Sequence, residues 1–127
     1  KAGEYVAIKI IKSKEAFRVQ AKTEIKLLKL LNTHDPGDQW CIVKLLNTFT
    51  HKGHTCLVFE MLSFNLYDLL SKTNFHGVSL NLIRKFARQI LKTLAYLSLE
   101  DVNVIHCDLK PENILFRQPN RSAIKVV

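Results

Sequence analysis

The chain has 127 residues, 47% of them hydrophobic, and nineteen Lys and Arg against eleven Asp and Glu give it a formal charge of +8. That apolar content is enough for a packed core and excludes a wholly disordered chain. No apolar run approaches the roughly 18 residues of a membrane-spanning helix, and no signal peptide is legible, so no membrane partner and an intracellular setting, nucleus or cytoplasm, are expected. Residues 5–11 are rich in β-branched side chains and read as a strand, with Val6, Ile8 and Ile10 on one face and Ala7, Lys9 and Ile11 on the other. From 15 to 31 the pattern turns helical, Phe17, Ala21, Ile25, Leu28 and Leu31 forming one stripe. The polar stretch 32–38 ends that helix as a loop. Residues 41–50 and 55–61 read as two strands of a hairpin turning at His51-Lys52-Gly53-His54. A short helix is expected over 66–70, then a long one capped by Ser79 and running to about Leu97, with Ile83, Phe86, Ala87, Ile90, Leu94 and Leu97 as its buried stripe. Residues 104–105, 113–116 and 123–127 are short strand-like runs. This order of elements fits a mixed α/β plan of two layers or two lobes.

The excess basic charge is dispersed. Lys22, Lys26 and Lys29, like Arg84, Lys85 and Arg88, fall singly on helix faces without interleaved stacking aromatics, the pattern of a solvated face rather than of a specific nucleic-acid surface. Cys41, Cys56 and Cys107 are odd in number and at no disulfide spacing, as suits reduced thiols.

Chemistry concentrates in His106-Cys107-Asp108-Leu109-Lys110-Pro111-Glu112-Asn113, which sets an acid, a lysine and an amide at the spacing phosphoryl transfer needs. A metal or thiol site is the rival reading, but adjacent residues of an extended chain point to opposite faces and no CxxC or HxxxH spacing adds ligands. A turn built by Pro111 and Asn113 without chemistry is the commoner meaning of so short a motif. Upstream, Val6-Ala7-Ile8-Lys9 is a strand whose lysine could grip phosphates. Glu24 has Gln20, Ala21, Leu27 and Leu28 three and four positions away, none of them basic, so it either stays half solvated or pairs with Lys9.

Together, Val6-Ala7-Ile8-Lys9, Glu24, Leu57-Val58-Phe59-Glu60-Met61-Leu62 and the loop 106–113 resemble the eukaryotic protein-kinase catalytic domain over nearly the whole chain. Cys107 in place of the usual Arg, with Asn65-Leu66-Tyr67-Asp68-Leu69-Leu70 and Arg121-Ser122-Ala123-Ile124-Lys125, is similar to the dual-specificity tyrosine-regulated (DYRK) branch. The resemblance implies an α+β, two-lobed protein-kinase-like fold, incomplete, with residues 1–61 as a small-lobe portion and 62–127 as the hinge and first part of the large lobe. It implies ATP and Mg2+ as cofactors, and proteins with Ser or Thr acceptors as substrates. By the same resemblance Lys9 contacts the α and β phosphates and Glu24 orients it. Phe59 is the gatekeeper, Glu60, Met61 and Leu62 form the adenine hinge, Ala7 and Leu115 sandwich the base, and Asp68 reaches the ribose. Asp108 is the catalytic base, Lys110 the γ-phosphate contact, Asn113 a metal ligand and His106 a packed structural residue.

The chain starts at Lys1 and stops within an apolar run, and it carries neither a glycine-rich loop nor Asp-Phe-Gly. A piece of a longer kinase is therefore expected, inactive by itself. The alternative is a catalytically silent, shortened module kept for binding.

Overall fold

A computed structural model of the chain describes residues 3–127; Lys1 and Ala2 lie outside it. The described residues fall into two compact units, one formed by residues up to Gly37 together with Val43–Met61, the other by Asp38–Ile42 together with Leu62–Val127. Among them no helix is long and apolar enough to cross a membrane.

The first unit is an antiparallel sheet with one helix. Its strands are β1 (Val6–Ile10), β2 (Leu45–His51) and β3 (His54–Glu60), in the order β1-β3-β2, and its helix is α1 (Glu15–Thr33). The hairpin joining β2 to β3 turns on Lys52 and Gly53, whose φ values of 47° and 79° are both positive. That pairing is the tight turn whose twist matches the strands it joins, and Gly53 supplies one of its left-handed positions without steric cost. Helix α1 lacks a side-chain cap at Lys14. Its far end is secured instead by Asn32, whose Nδ2 donates to the Val43 carbonyl at 3.1 Å and whose Oδ1 accepts from the Leu45 amide at 2.8 Å. The expected stripe of α1 is buried at Ala21 and Leu31, while Phe17 is exposed.

The expected strand over 41–50 begins only at Leu45. Cys41 has φ 58°, which breaks the extended backbone, and Ile42 instead bridges Val126 within the second unit.

The second unit contains α2 (Leu66–Lys72), α3 (Leu80–Leu97), a 3-10 turn at Pro111–Asn113, and the two-stranded sheet β4 (Ile114–Phe116) and β5 (Ile124–Val126). Its core is built on Phe86, Ile114, Phe116 and Ile124, with Phe64, Leu66 and Ile90 packed against them. Phe116 meets Phe64 at 4.7 Å and stands edge-on to Phe86 at 5.6 Å. Ser79 caps α3 as expected, its Oγ accepting from the Leu82 amide.

The face that α3 buries differs from the apolar stripe in its sequence. Phe86, Thr93, Tyr96 and Leu97 are buried, whereas Ile83, Ala87 and Leu94 are exposed. The reason is polar: Thr93 donates to the Trp40 carbonyl at 2.7 Å, and Gln89 donates to the Ser122 carbonyl and accepts from the Ile124 amide. Those bonds satisfy backbone groups that the adjoining loops leave unpaired, and a satisfied buried backbone outweighs the burial of one more aliphatic side chain. Residues 104–105, expected as strand-like, form no strand, and Ile105 is exposed.

Candidate active site

Each unit carries one group of the residues singled out above. In the first unit, β1 places Lys9 opposite Leu57 of β3, and Ala7 opposite Phe59. Lys9 Nζ donates to Glu24 Oε1 of α1 at 2.7 Å. The pair is part-exposed, 52% and 32% for the two side chains, so it contributes at most about 1 kcal/mol to stability. Its weight is geometric. An ammonium has three donors, and with one committed to Glu24 the others remain for phosphate oxygens while the stem is held. Phe59 is buried near the end of β3, and Met61, just past that strand, is exposed. Glu60 is tied back at both ends, its amide donating to the Lys44 carbonyl at 3.1 Å and its Oε1 accepting from the Lys44 amide at 2.8 Å.

In the second unit, the loop 106–113 is cross-linked from within. His106 Nδ1 accepts from the Asp108 amide at 3.1 Å, so the ring's proton sits on Nε2, which donates to the Val127 carbonyl at 3.1 Å. The imidazole is thus occupied at both nitrogens, a structural part of the loop. Cys107 turns the chain with φ 68°, an uncommon left-handed value for a side-chain-bearing residue, and its thiol is exposed.

Asp108 Oδ1 faces Lys110 Nζ at 3.0 Å, and Asn113 Nδ2 donates both to Asp108 Oδ2 at 2.9 Å and to its carbonyl at 2.8 Å. The Lys110 ammonium first, and the Asn113 amide second, hold the Asp108 carboxyl below the usual carboxylate range. With its amide nitrogen committed to Asp108, Asn113 keeps Oδ1 as an oxygen donor, the ligand type a hard cation such as Mg2+ requires. Asn113 therefore offers one ligand oxygen that fits that ion.

Asp68 and Leu115 also lie in this unit. Asp68 closes a capping box at the start of α2, its Oδ2 accepting from the Asn65 amide and its own amide donating to Asn65 Oδ1. Leu115 lies in β4 and bridges Asn65. Leu62 follows β3 and opens this unit's main segment.

Sequence reading missed a cluster in the second unit. Asp38 meets Arg117 at 3.0 Å and Lys125 at 2.8 Å, and the Lys125 side chain is fully buried. Its only sequence signal was a charge inside the apolar run Ala123-Ile124-Lys125-Val126-Val127.

This constellation of a strand lysine paired to a helix glutamate, and an Asp/Lys/Asn loop, has its counterpart in known proteins. Residues 1–127 match the protein kinase domain model, and the chain belongs to that family. It is 52% identical over 125 residues to the probable serine/threonine-protein kinase yakA of Dictyostelium discoideum, covering 98% of this chain and 8% of that relative. It is 50% identical over 127 residues to the probable serine/threonine-protein kinase dyrk2 of the same organism, 100% of this chain and 14% of the relative. A Drosophila melanogaster protein named as a homolog of dual specificity tyrosine-phosphorylation-regulated kinase 3 is 46% identical over 127 residues, 100% of this chain and 15% of the relative. The chain thus spans a small part of the length of these relatives.

Proposed function

We propose that this chain contributes the nucleotide-gripping and proton-handling residues of a serine/threonine protein kinase of the DYRK type, which transfers the γ-phosphate of ATP to protein hydroxyls. The observation that carries the reading is the loop in which one carboxylate, Asp108, is held by Lys110 and Asn113 at 3.0 and 2.9 Å. Lys9, steadied by Glu24, donates to the α and β phosphates. In the first unit, Ala7 offers its small side chain to one face of the adenine, Phe59 limits the depth of the base's site, and the backbone at Glu60 and Met61 reads its edge. Asp68 contributes to the ribose contact with the carboxylate oxygen left outside its cap.

At the reacting end, Asp108 accepts a hydrogen bond from the acceptor hydroxyl and takes its proton. A carboxylate held below its ordinary pKa is a weak base, so its main effect is to align the hydroxyl, and the proton follows late in a loose transition state. Lys110 moves its charge from Asp108 toward the transferred phosphate. Asn113 Oδ1 would hold Mg2+, whose charge would offset that of the phosphates.

The 127 residues alone do not turn over, because the sequence holds no glycine-rich loop and no Asp-Phe-Gly, and positioning with charge neutralisation supplies nearly all of the rate. Proteins with Ser or Thr acceptors, in nucleus or cytoplasm, are the proposed substrates. The test is transfer of labelled γ-phosphate to Ser/Thr peptides by the full natural chain with ATP and Mg2+. The reading expects transfer that Lys9→Met reduces by about 100-fold or more. Absence of transfer across a broad peptide library would leave binding as the function to pursue.

A further inference from the structure

Lys125 lies between Ile124 and Val126 in β5, with its side chain fully buried. An ammonium is tolerated in such a place only where a carboxylate meets it. Asp38 does so: its Oδ1 is 2.8 Å from Lys125 Nζ, while its Oδ2 accepts from Arg117 Nη1 at 3.0 Å and its carbonyl from Arg117 Nη2 at 3.2 Å. Arg117 directly follows β4 and Lys125 is inside β5, so one carboxylate grips both arms of the hairpin. Asp38 itself has φ 53°, a conformation Asp tolerates better than most residues.

The grip continues toward the loop. Val126 donates its amide to the Cys41 carbonyl at 2.8 Å, and Val127 donates to the Asn113 carbonyl at 2.9 Å. The Val127 carbonyl accepts a hydrogen bond from His106 Nε2 at 3.1 Å, and Asn113 in turn holds Asp108. Val127, which bonds the His106 ring and the Asn113 carbonyl, stands two positions beyond the residue that carries the buried ammonium.

We propose that the Asp38–Lys125–Arg117 cluster is the positioning device of the phosphotransfer loop: by anchoring β5 it sets Val127, and through Val127 the places of the Asn113 amide and the Asp108 carboxylate. All three are positioning residues; none touches the reacting groups. The ladder with β4 sets the register of β5, and the ion pair of 2.8 Å sets how that hairpin sits against Asp38, which an aliphatic side chain at 125 would not do. The inference rests on the kinase reading above for its effect on catalysis, and on the hydrogen bonds alone for the anchoring.

The test compares the full natural chain with its Lys125→Met, Lys125→Arg and Arg117→Gln variants. It reads kcat, KM for ATP, the Mg2+ concentration for half-maximal transfer, and hydrogen exchange at the Val127 amide. Lys125→Met is expected to lower kcat and raise the Mg2+ midpoint, each by about 10–100-fold, with KM for ATP little changed and Val127 exchanging faster. Lys125→Arg, which keeps the charge, is expected to recover most of both. Should Lys125→Met not fold, Arg117→Gln keeps the buried pair and carries the test, with smaller changes of the same sign. A folded Lys125→Met or Arg117→Gln variant whose Mg2+ midpoint and Val127 exchange equal those of the wild type overturns the proposal. A wild type with no transfer at all overturns the kinase reading instead, and Val127 exchange then decides the anchoring by itself.

Discussion

Asp108 shows how a loop can prepare one side chain with very short reach. Its partners lie two and five positions along the chain, and both favour the charged carboxylate. A carboxyl with a depressed folded-state pKa adds stability that is present above the unfolded pKa and is lost as pH falls through the folded value. The Lys110 and Asn113 contacts should therefore persist through neutral and mildly acidic pH and fail only below the usual Asp range. Carboxyl 13C titration by NMR should place Asp108 below the ordinary value, and Lys110→Met should move it upward, since Lys110 is the larger cause. An unchanged value in that variant would assign the depression to Asn113. Lys9 and Glu24 make the opposite case, a pair whose proposed role exceeds its contribution to stability. Glu24→Gln should shift unfolding free energy by less than about 1 kcal/mol, because the pair is part-exposed. In the full natural chain the same substitution should lower phosphate transfer by about 100-fold, because an unheld lysine stem misplaces its phosphate contact. Chemical denaturation and steady-state kinetics on one preparation separate the two effects.

At the level of elements, what could be read from the sequence depended on whether a residue's role was set nearby or far away. The β2–β3 turn and the Ser79 cap are local, and each was visible in residue types and spacing; the Asp108, Lys110 and Asn113 grouping was visible as spacing, but its internal bonds were not. The pairing of Lys9 with Glu24 was legible because Glu24 has no basic residue three or four positions away on its own helix. The buried face of α3 was not legible, since periodicity counts apolar residues and this face is chosen by Thr93 and Gln89, which serve backbone groups on distant segments. Asp38 was equally opaque: its partners Arg117 and Lys125 are remote in sequence and nothing near Asp38 announces them. The α3 account has a direct check. Thr93→Val keeps the volume but removes the donor to the Trp40 carbonyl, and should lower stability by about 1–3 kcal/mol. Leu94→Ala, at a position the apolar stripe would have buried, should cost less, and a larger loss at Leu94 than at Thr93 would contradict the observed face.

For the whole molecule, the described sheet leaves β1 paired only to β3, with Val6, Ile8 and Ile10 exposed on it. An unpaired edge carrying β-branched side chains is a template for further pairing. The isolated 127-residue chain should therefore self-associate as its concentration rises, and Ile8→Lys should weaken that association; sedimentation velocity over a dilution series reads both. The proposed activity is read most directly from the rate of γ-phosphate transfer from ATP to Ser/Thr peptides by the full natural chain, wild type against Asp108→Asn, with Mg2+ saturating. The account predicts Mg2+-dependent transfer by the wild type that falls by a factor on the order of 100 to 10,000 when the carboxylate becomes an amide. Equal rates in the two proteins would contradict it.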